Sequence, residues 1–141
     1  MCKIADFGCS VAASSTSLPI DHSLVGTPGY QAPEFIRGSV PTPSCDIYSL
    51  GILFWQLDSR QIPYCGQHPQ AVMFQVVSVG ARPIPPPRTD ACVNLELFTS
   101  LYKSCWNAIP HLRPIASTVV EKLSLLVGTN QKSSRRVSYL R

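Results

Sequence analysis

The longest apolar stretch of the chain, CDIYSLGILFWQLD from Cys45 to Asp58, is hydrophobic nearly all round. A helix without a polar face is buried on most sides. This segment is therefore expected at the centre of the fold, capped by Thr42 or Ser44. Two later segments carry apolar residues at helical spacing. Val93 to Trp106 has them at 95, 97, 98, 101, 102, 105 and 106, and Ile115 to Val127 repeats the pattern until Gly128 closes it. Pro69 to Val79 reads as a further helix, and Ala32 to Ile36 opens a short one with proline in its first turn. At the front, Cys2 to Ala5 alternates as a short strand would, with Gly8 ending it. The polar stretch from Cys9 to Ser23 keeps no period and reads as a mobile loop. Arg82 to Arg88, RPIPPPR, is neither helix nor central strand, because proline lacks the amide donor; an extended surface connection is expected. The polar, basic end of the chain is expected to be disordered.

Length and composition narrow the class. At 141 residues the chain is one domain's worth, 45% hydrophobic and only 14% charged, against about a quarter charged in ordinary soluble domains. Such a surface is apolar enough that something is expected to cover part of it. The net charge of +4 is spread along the chain, with no basic stripe interleaved with aromatics, so no nucleic-acid partner is expected. The cysteines at 2, 9, 45, 65, 92 and 105 form no C-x-x-C pair and have no histidine at zinc-ligand spacing. Reduced thiols in a cytoplasmic protein fit this usage. The apolar run from Ile47 to Leu57 is shorter than the about 20 residues that span a bilayer, so no membrane partner is expected.

Candidate chemistry starts at Asp6-Phe7-Gly8. Alone, the tripeptide fits a strand-ending turn. It is followed, in order, by Gly26-Thr27-Pro28-Gly29-Tyr30, Ala32-Pro33-Glu34, Asp46-Ile47-Tyr48-Ser49-Leu50-Gly51, Cys105-Trp106, Pro110 and Arg113-Pro114. Together these resemble the C-terminal lobe of a eukaryotic protein kinase from the D-F-G motif onward. The Thr27 context looks like Ser/Thr kinases. KIADFGCS at the front, DIYS from Asp46 and RQIPYCG from Arg60 look most like the Mos family, Ser/Thr kinases associated with oocyte meiosis and acting upstream of the MAP-kinase cascade.

The resemblance implies a mainly α fold, part of a two-lobed α+β parent. Residues 1–127 form the partial kinase domain, with an activation segment at 6–34 and a helical lobe at 35–127, and residues 128–141 form the basic tail. It implies ATP and Mg²⁺ as cofactors of the full-length form and a protein substrate, a MAP-kinase kinase among the candidates. Asp6 would offer carboxylate oxygen to the hard magnesium ion, Phe7 would pack inward, and Gly8 would let the backbone turn. Ser14, Ser15, Thr16, Ser17 and Ser23 are candidate phosphosites in the activation loop; a solvated Ser-rich loop is the alternative. Gly26, Thr27 and Tyr30 would form the pocket for the substrate residue after the phosphoacceptor. Glu34 would pair with Arg113 in the interior, and Asp46 would accept backbone hydrogen bonds and position the catalytic loop.

Other residues receive structural readings. Trp106 and Tyr64 are expected to be packing residues, and His22, His68 and His111 carry no catalytic role. Ser138 follows Arg135-Arg136 as a basophilic kinase site would, against the plainer reading of a solvated tail. The prolines between 83 and 87 fit a stiff connector better than an SH3-type ligand.

The chain encodes no Gly-rich phosphate loop, no phosphate-pairing lysine and no H-R-D-x-x-x-x-N loop, so no catalytic residue is assigned. These residues alone are expected not to transfer phosphate. With the rest of the kinase domain missing, one face of the 47–57 helix is expected to be an exposed apolar patch, and the chain poorly soluble or partly molten. A kinase-derived, non-catalytic interaction module is the alternative function.

Overall fold

The computed structural model describes residues 3–10, 26–87 and 93–137, and of 129–137 the backbone alone. Five α-helices follow one another among the described residues: α1 (Pro33–Ile36), α2 (Pro43–Ser59), α3 (Pro69–Ser78), α4 (Val93–Cys105) and α5 (Ala116–Val137). Short 3-10 turns stand at Phe7–Cys9, Pro28–Tyr30 and Pro110–Leu112. The architecture is mainly helical, as expected. No helix among the described residues is long and apolar enough to cross a membrane.

The core forms around α2. Tyr48, Ile52 and Trp55 are buried there against Leu101, Tyr102 and Cys105 of α4, with Trp106 and with Val119 of α5. The α2–α4 crossing is close because position 51 is glycine: a Cβ there would stand 2.8 Å from the Cys105 Cβ and 3.0 Å from the Tyr102 carbonyl oxygen. An aromatic ladder continues the seam. Phe54 and Phe98 have ring centroids 5.5 Å apart, Phe98 and Tyr102 5.8 Å, and Tyr102 and Trp106 5.1 Å. Edge-to-face and tilted pairs at such separations add to area burial, because ring edges meet ring faces of opposite partial charge. Against the burial that its apolar pattern alone implies, α2 is not covered on every side: Leu53 and Leu57 lie exposed, on the helix where an apolar patch is expected from the resemblance.

Several expectations need correction. Residues 3–6 form no strand; a strand needs a ladder partner, and no strand is present among the described residues. Thr42 occupies the N-cap position of α2, yet its side chain makes no capping hydrogen bond. Ser44, already inside the helix, donates to the Pro110 carbonyl oxygen at 2.9 Å instead. α5 does not end at Gly128 but runs to Val137, through residues assigned to a disordered tail. One glycine in a helix costs about 1 kcal/mol relative to alanine, too little alone to stop a helix. The proline-rich connection forms neither helix nor strand, as expected, and is held at two points: Pro83 is buried, and the Trp55 indole N–H donates to the Ile84 carbonyl at 2.8 Å.

Candidate functional site

The segment after Asp6 is anchored at its far end by an ion pair that links two distant parts of the chain. Glu34 lies in the first turn of α1, where a carboxylate faces unpaired backbone amides. Arg113 follows the 3-10 turn at Pro110–Leu112, 79 residues downstream. Its guanidinium donates to both carboxylate oxygens of Glu34, at 2.6 and 2.8 Å. Further donations reach the Asn107 carbonyl at 2.8 Å and the Ser44 carbonyl at 2.9 Å. The Arg113 side chain is 0% exposed and that of Glu34 15%. The planar fork of arginine matches a carboxylate in two parallel bonds, which lysine cannot do.

The Cys45 thiol donates to Glu34 Oε1 at 3.3 Å. Burial works to raise the Glu34 pKa, but the hydrogen bonds from Arg113 and Cys45 and the Arg113 charge outweigh it and hold the carboxyl below its ordinary value of 4.5. A depressed carboxylate contributes stability in full above its unfolded value and loses it as pH falls through the folded value. The urea midpoint is therefore expected to be level near neutral pH and to decline below pH 4.5, with a shallower decline in Glu34→Gln. An equally steep acid decline in that variant would refute the assignment. The Cys45 thiol is itself pushed up, by burial first and also by the Glu34 charge. Burial likewise raises the Cys105 thiol to about 11, so neither buried cysteine has thiolate character near neutral pH.

Gly26, Thr27 and Tyr30 come together in one irregular stretch. Gly26 has φ 92°, a left-handed conformation that disfavours any side chain. Thr27 is exposed and precedes the Pro28–Tyr30 turn, whose closing bond runs from the Tyr30 amide to the Thr27 carbonyl at 2.9 Å. Two polar side chains of α2 then hold Tyr30. Its hydroxyl donates to Gln56 Oε1, and the Ser49 hydroxyl donates to the Tyr30 carbonyl at 2.8 Å. Sequence reasoning missed Cys45, Ser49 and Gln56 as supports. The available signal was their spacing: four and then seven residues apart, they put polar groups on one stripe of an otherwise apolar helix.

At the front of the chain the correspondence is looser. Asp6 is exposed at φ 61°, ψ 73°, before the Phe7–Cys9 turn. The left-handed residue is thus Asp6 and not Gly8; a short polar side chain tolerates that conformation better than most. Phe7 does not pack inward. It is 67% exposed and outside the hydrophobic core. Asp46 is exposed in the first turn of α2, where the helix dipole favours a carboxylate. Trp106 is core, and Tyr64 packs in its turn with its hydroxyl donating to the Ala81 carbonyl at 3.1 Å. His68 caps α3 by accepting from the Gln70 amide at 3.4 Å, a structural role that was not anticipated. Ser14, Ser15, Thr16, Ser17, Ser23, His22 and Ser138 lie outside the described residues.

Asp6 supplies oxygen of the kind a hard divalent cation takes, but alone. No group of three or more His, Cys, Asp or Glu able to hold a metal occurs among the described residues.

Residues 1–123 match the family model of the protein kinase domain. Over 129 residues, 91% of this chain, it is 37% identical to the rat "Proto-oncogene serine/threonine-protein kinase mos", and the match covers 38% of that relative. The mouse protein of the same name is 36% identical over 131 residues, 91% of this chain and 38% of the relative. The "Serine/threonine-protein kinase mos" of Patiria pectinifera is 37% identical over 125 residues, 85% of this chain and 34% of the relative. The chain thus spans little more than a third of the length of these relatives.

Proposed function

The chain belongs to the protein kinase domain family and resembles its Mos Ser/Thr members, and from that premise we propose that the protein, at its natural length, transfers the γ-phosphoryl group of ATP to serine or threonine of a protein substrate. The observation that carries this reading is the buried, two-pronged Glu34–Arg113 pair. It fixes the C-terminal anchor of the segment running from Asp6 through Gly26–Tyr30 and leaves the substrate-facing stretch on a rigid base. Catalysis by positioning needs such a base, since small misplacements of reacting groups cost rate steeply.

In this reading Asp6 holds magnesium together with the nucleotide. Bound magnesium would offset charge as the phosphoryl group moves. Gly26, Thr27 and Tyr30 receive the residue after the phosphoacceptor. Tyr30 is held by Gln56 and Ser49, so α2 sets the depth of that pocket. Because the 141 residues encode neither the base nor the nucleotide cradle, the 141-residue chain by itself is proposed to be inactive. A MAP-kinase kinase as substrate, a role in meiosis and a cytoplasmic location belong to the same proposal and rest on the Mos likeness.

The test is transfer of labelled γ-phosphate from ATP to a protein acceptor by the protein at natural length, with and without Mg²⁺. Magnesium-dependent label on serine or threonine supports the reading. Label on tyrosine only, or no label, overturns it and favours a non-catalytic interaction module.

A further inference from the structure

The proline-rich connection has a backbone dictated almost residue by residue. Proline fixes its own φ at about −65° and drives the residue before it to extended or polyproline II dihedrals. In Arg82-Pro83-Ile84-Pro85-Pro86-Pro87 every residue is a proline or precedes one. A polyproline II helix has three residues per turn, so positions three apart share an edge. Pro83 and Pro86 share the inner edge, where Pro83 is buried. Ile84 and Pro87 share another, which faces solvent: Ile84 is 85% exposed, and Pro87 is exposed as well. Pro85 lies between them, half-buried.

The fold clamps this segment at its start. The Ala81 amide donates to the Gln75 carbonyl at 3.1 Å, and the Tyr64 hydroxyl donates to the Ala81 carbonyl at 3.1 Å. Arg82 donates from Nε to the Trp106 carbonyl at 3.0 Å, and the Trp55 indole N–H donates to the Ile84 carbonyl at 2.8 Å. An indole donor and a covered proline thus hold the inner edge, and aromatic grooves hold proline-rich ligands by the same chemistry.

We propose that the outer edge, Ile84-Pro85 with Pro87, is a docking site for a partner domain of the WW type, whose aromatic groove takes the Ile84 and Pro85 side chains. Three features choose this partner. A polyproline II backbone makes no internal hydrogen bonds, so the fitting receptor offers donors beside apolar ring faces and not a strand or a helix. The P-x-x-P spacing that SH3 domains read falls on Pro83 and Pro86, and the burial of Pro83 closes that edge. The anchors order the segment before any partner arrives, so less freedom is lost when a groove closes on it. The site is independent of phosphoryl transfer.

The probes are a panel of isolated, fluorescently labelled WW and SH3 domains. Each is first titrated with a free peptide of residues 80–88, in which all edges are open. The domains that bind the peptide are then titrated with the 141-residue chain and its Ile84→Glu variant, with anisotropy as the readout. WW domains are expected to bind the chain about tenfold more tightly than the peptide, through pre-ordering. SH3 domains are expected to bind the chain about tenfold more weakly than the peptide, because Pro83 is covered. Ile84→Glu keeps every proline and alters an exposed side chain. It is expected to weaken WW binding by about tenfold and to leave the thermal midpoint unchanged. The proposal is overturned if no WW domain of the panel binds peptide or chain, or if SH3 domains bind the chain as tightly as the peptide. It is equally overturned if Ile84→Glu binds WW domains like the unchanged chain, or if its affinity falls only together with its thermal midpoint, since Ile84 would then act through the fold.

Discussion

Arg113→Ala is expected to lower stability by about 3 kcal/mol, read as a fall in the urea midpoint followed by far-UV circular dichroism. The substitution leaves Glu34 as a mostly covered carboxylate whose bidentate partner is gone. It also strips donors from the Asn107 and Ser44 carbonyls, which then lose partners in the interior. The residual access of Glu34 to water places the loss at the lower end of the range for broken buried pairs, about 3–5 kcal/mol. Arg113→Lys separates charge from geometry. It keeps a cation near Glu34 but cannot make two parallel bonds and reach the Ser44 and Asn107 carbonyls together, so it is expected to recover only part of the loss. Full recovery by lysine would show that charge alone matters. A midpoint unchanged in Arg113→Ala would show that the pair behaves as a surface contact.

Gly51→Ala is the second large effect, with a cost of about 1–3 kcal/mol or somewhat above from overpacking. The new methyl would meet the Cys105 Cβ at 2.8 Å, the Trp106 amide nitrogen at 3.0 Å and the Tyr102 carbonyl oxygen at 3.0 Å. Two of these three neighbours are backbone of the α4 end, so no rotamer change relieves the contact. α2 and α4 would have to separate, which loosens the packing of Tyr48, Ile52 and Tyr102 together. Gly128→Ala in α5 is the control. Nothing lies within 4 Å of a Cβ built there, and the same chemical change is expected to stabilise by about 1 kcal/mol through helix propensity. Opposite signs for the two glycines in thermal unfolding would establish that the helix crossing, not glycine content, sets the result; equal signs would contradict it.

The helices were legible because their periodicity is strong. The pattern places α2 at Cys45 to Asp58 and the helix runs Pro43–Ser59; it places α3 at Pro69 to Val79 and the helix runs Pro69–Ser78. Errors arose where a local signal needed a distant partner. The alternation at Cys2 to Ala5 has strand character, but no ladder partner is present among the described residues. Phe7 is apolar and was assigned inward, yet nothing described covers it. Gly128 was read as a stop, although a stop needs a capping geometry and not only a poor helix former. The Glu34–Arg113 pair is the reverse case. No periodicity links residues 79 apart, and their meeting was foreseen only because both lie in motifs of one resemblance. The grip of Gln56 and Ser49 on Tyr30 is hidden in the sequence because the apolar residues of α2 dominate its pattern and outnumber the polar stripe.

Around Tyr48 the molecule holds more positive than negative charge. Arg82 lies over the Tyr48 ring at 4.9 Å and Arg113 at 5.0 Å, and among the described residues Glu34 is the one carboxylate paired to this group. The tyrosine hydroxyl is buried and meets no hydrogen-bond partner among the described residues, so it is the ring face and not the oxygen that serves the cations. The remaining compensation comes from fixed dipoles: Arg82 donates to the Trp106 and Ala81 carbonyls at 3.0 and 2.8 Å, and Arg113 to those of Ser44 and Asn107. Tyr48 thus works as a neutral spacer between like charges, and carbonyl groups take the place of a second counterion. Arg113 is buried with Glu34 as its counterion, whereas Arg82 is only partly covered, so one tyrosine ring carries a neutralised cation on its inner side and a half-solvated one toward the surface.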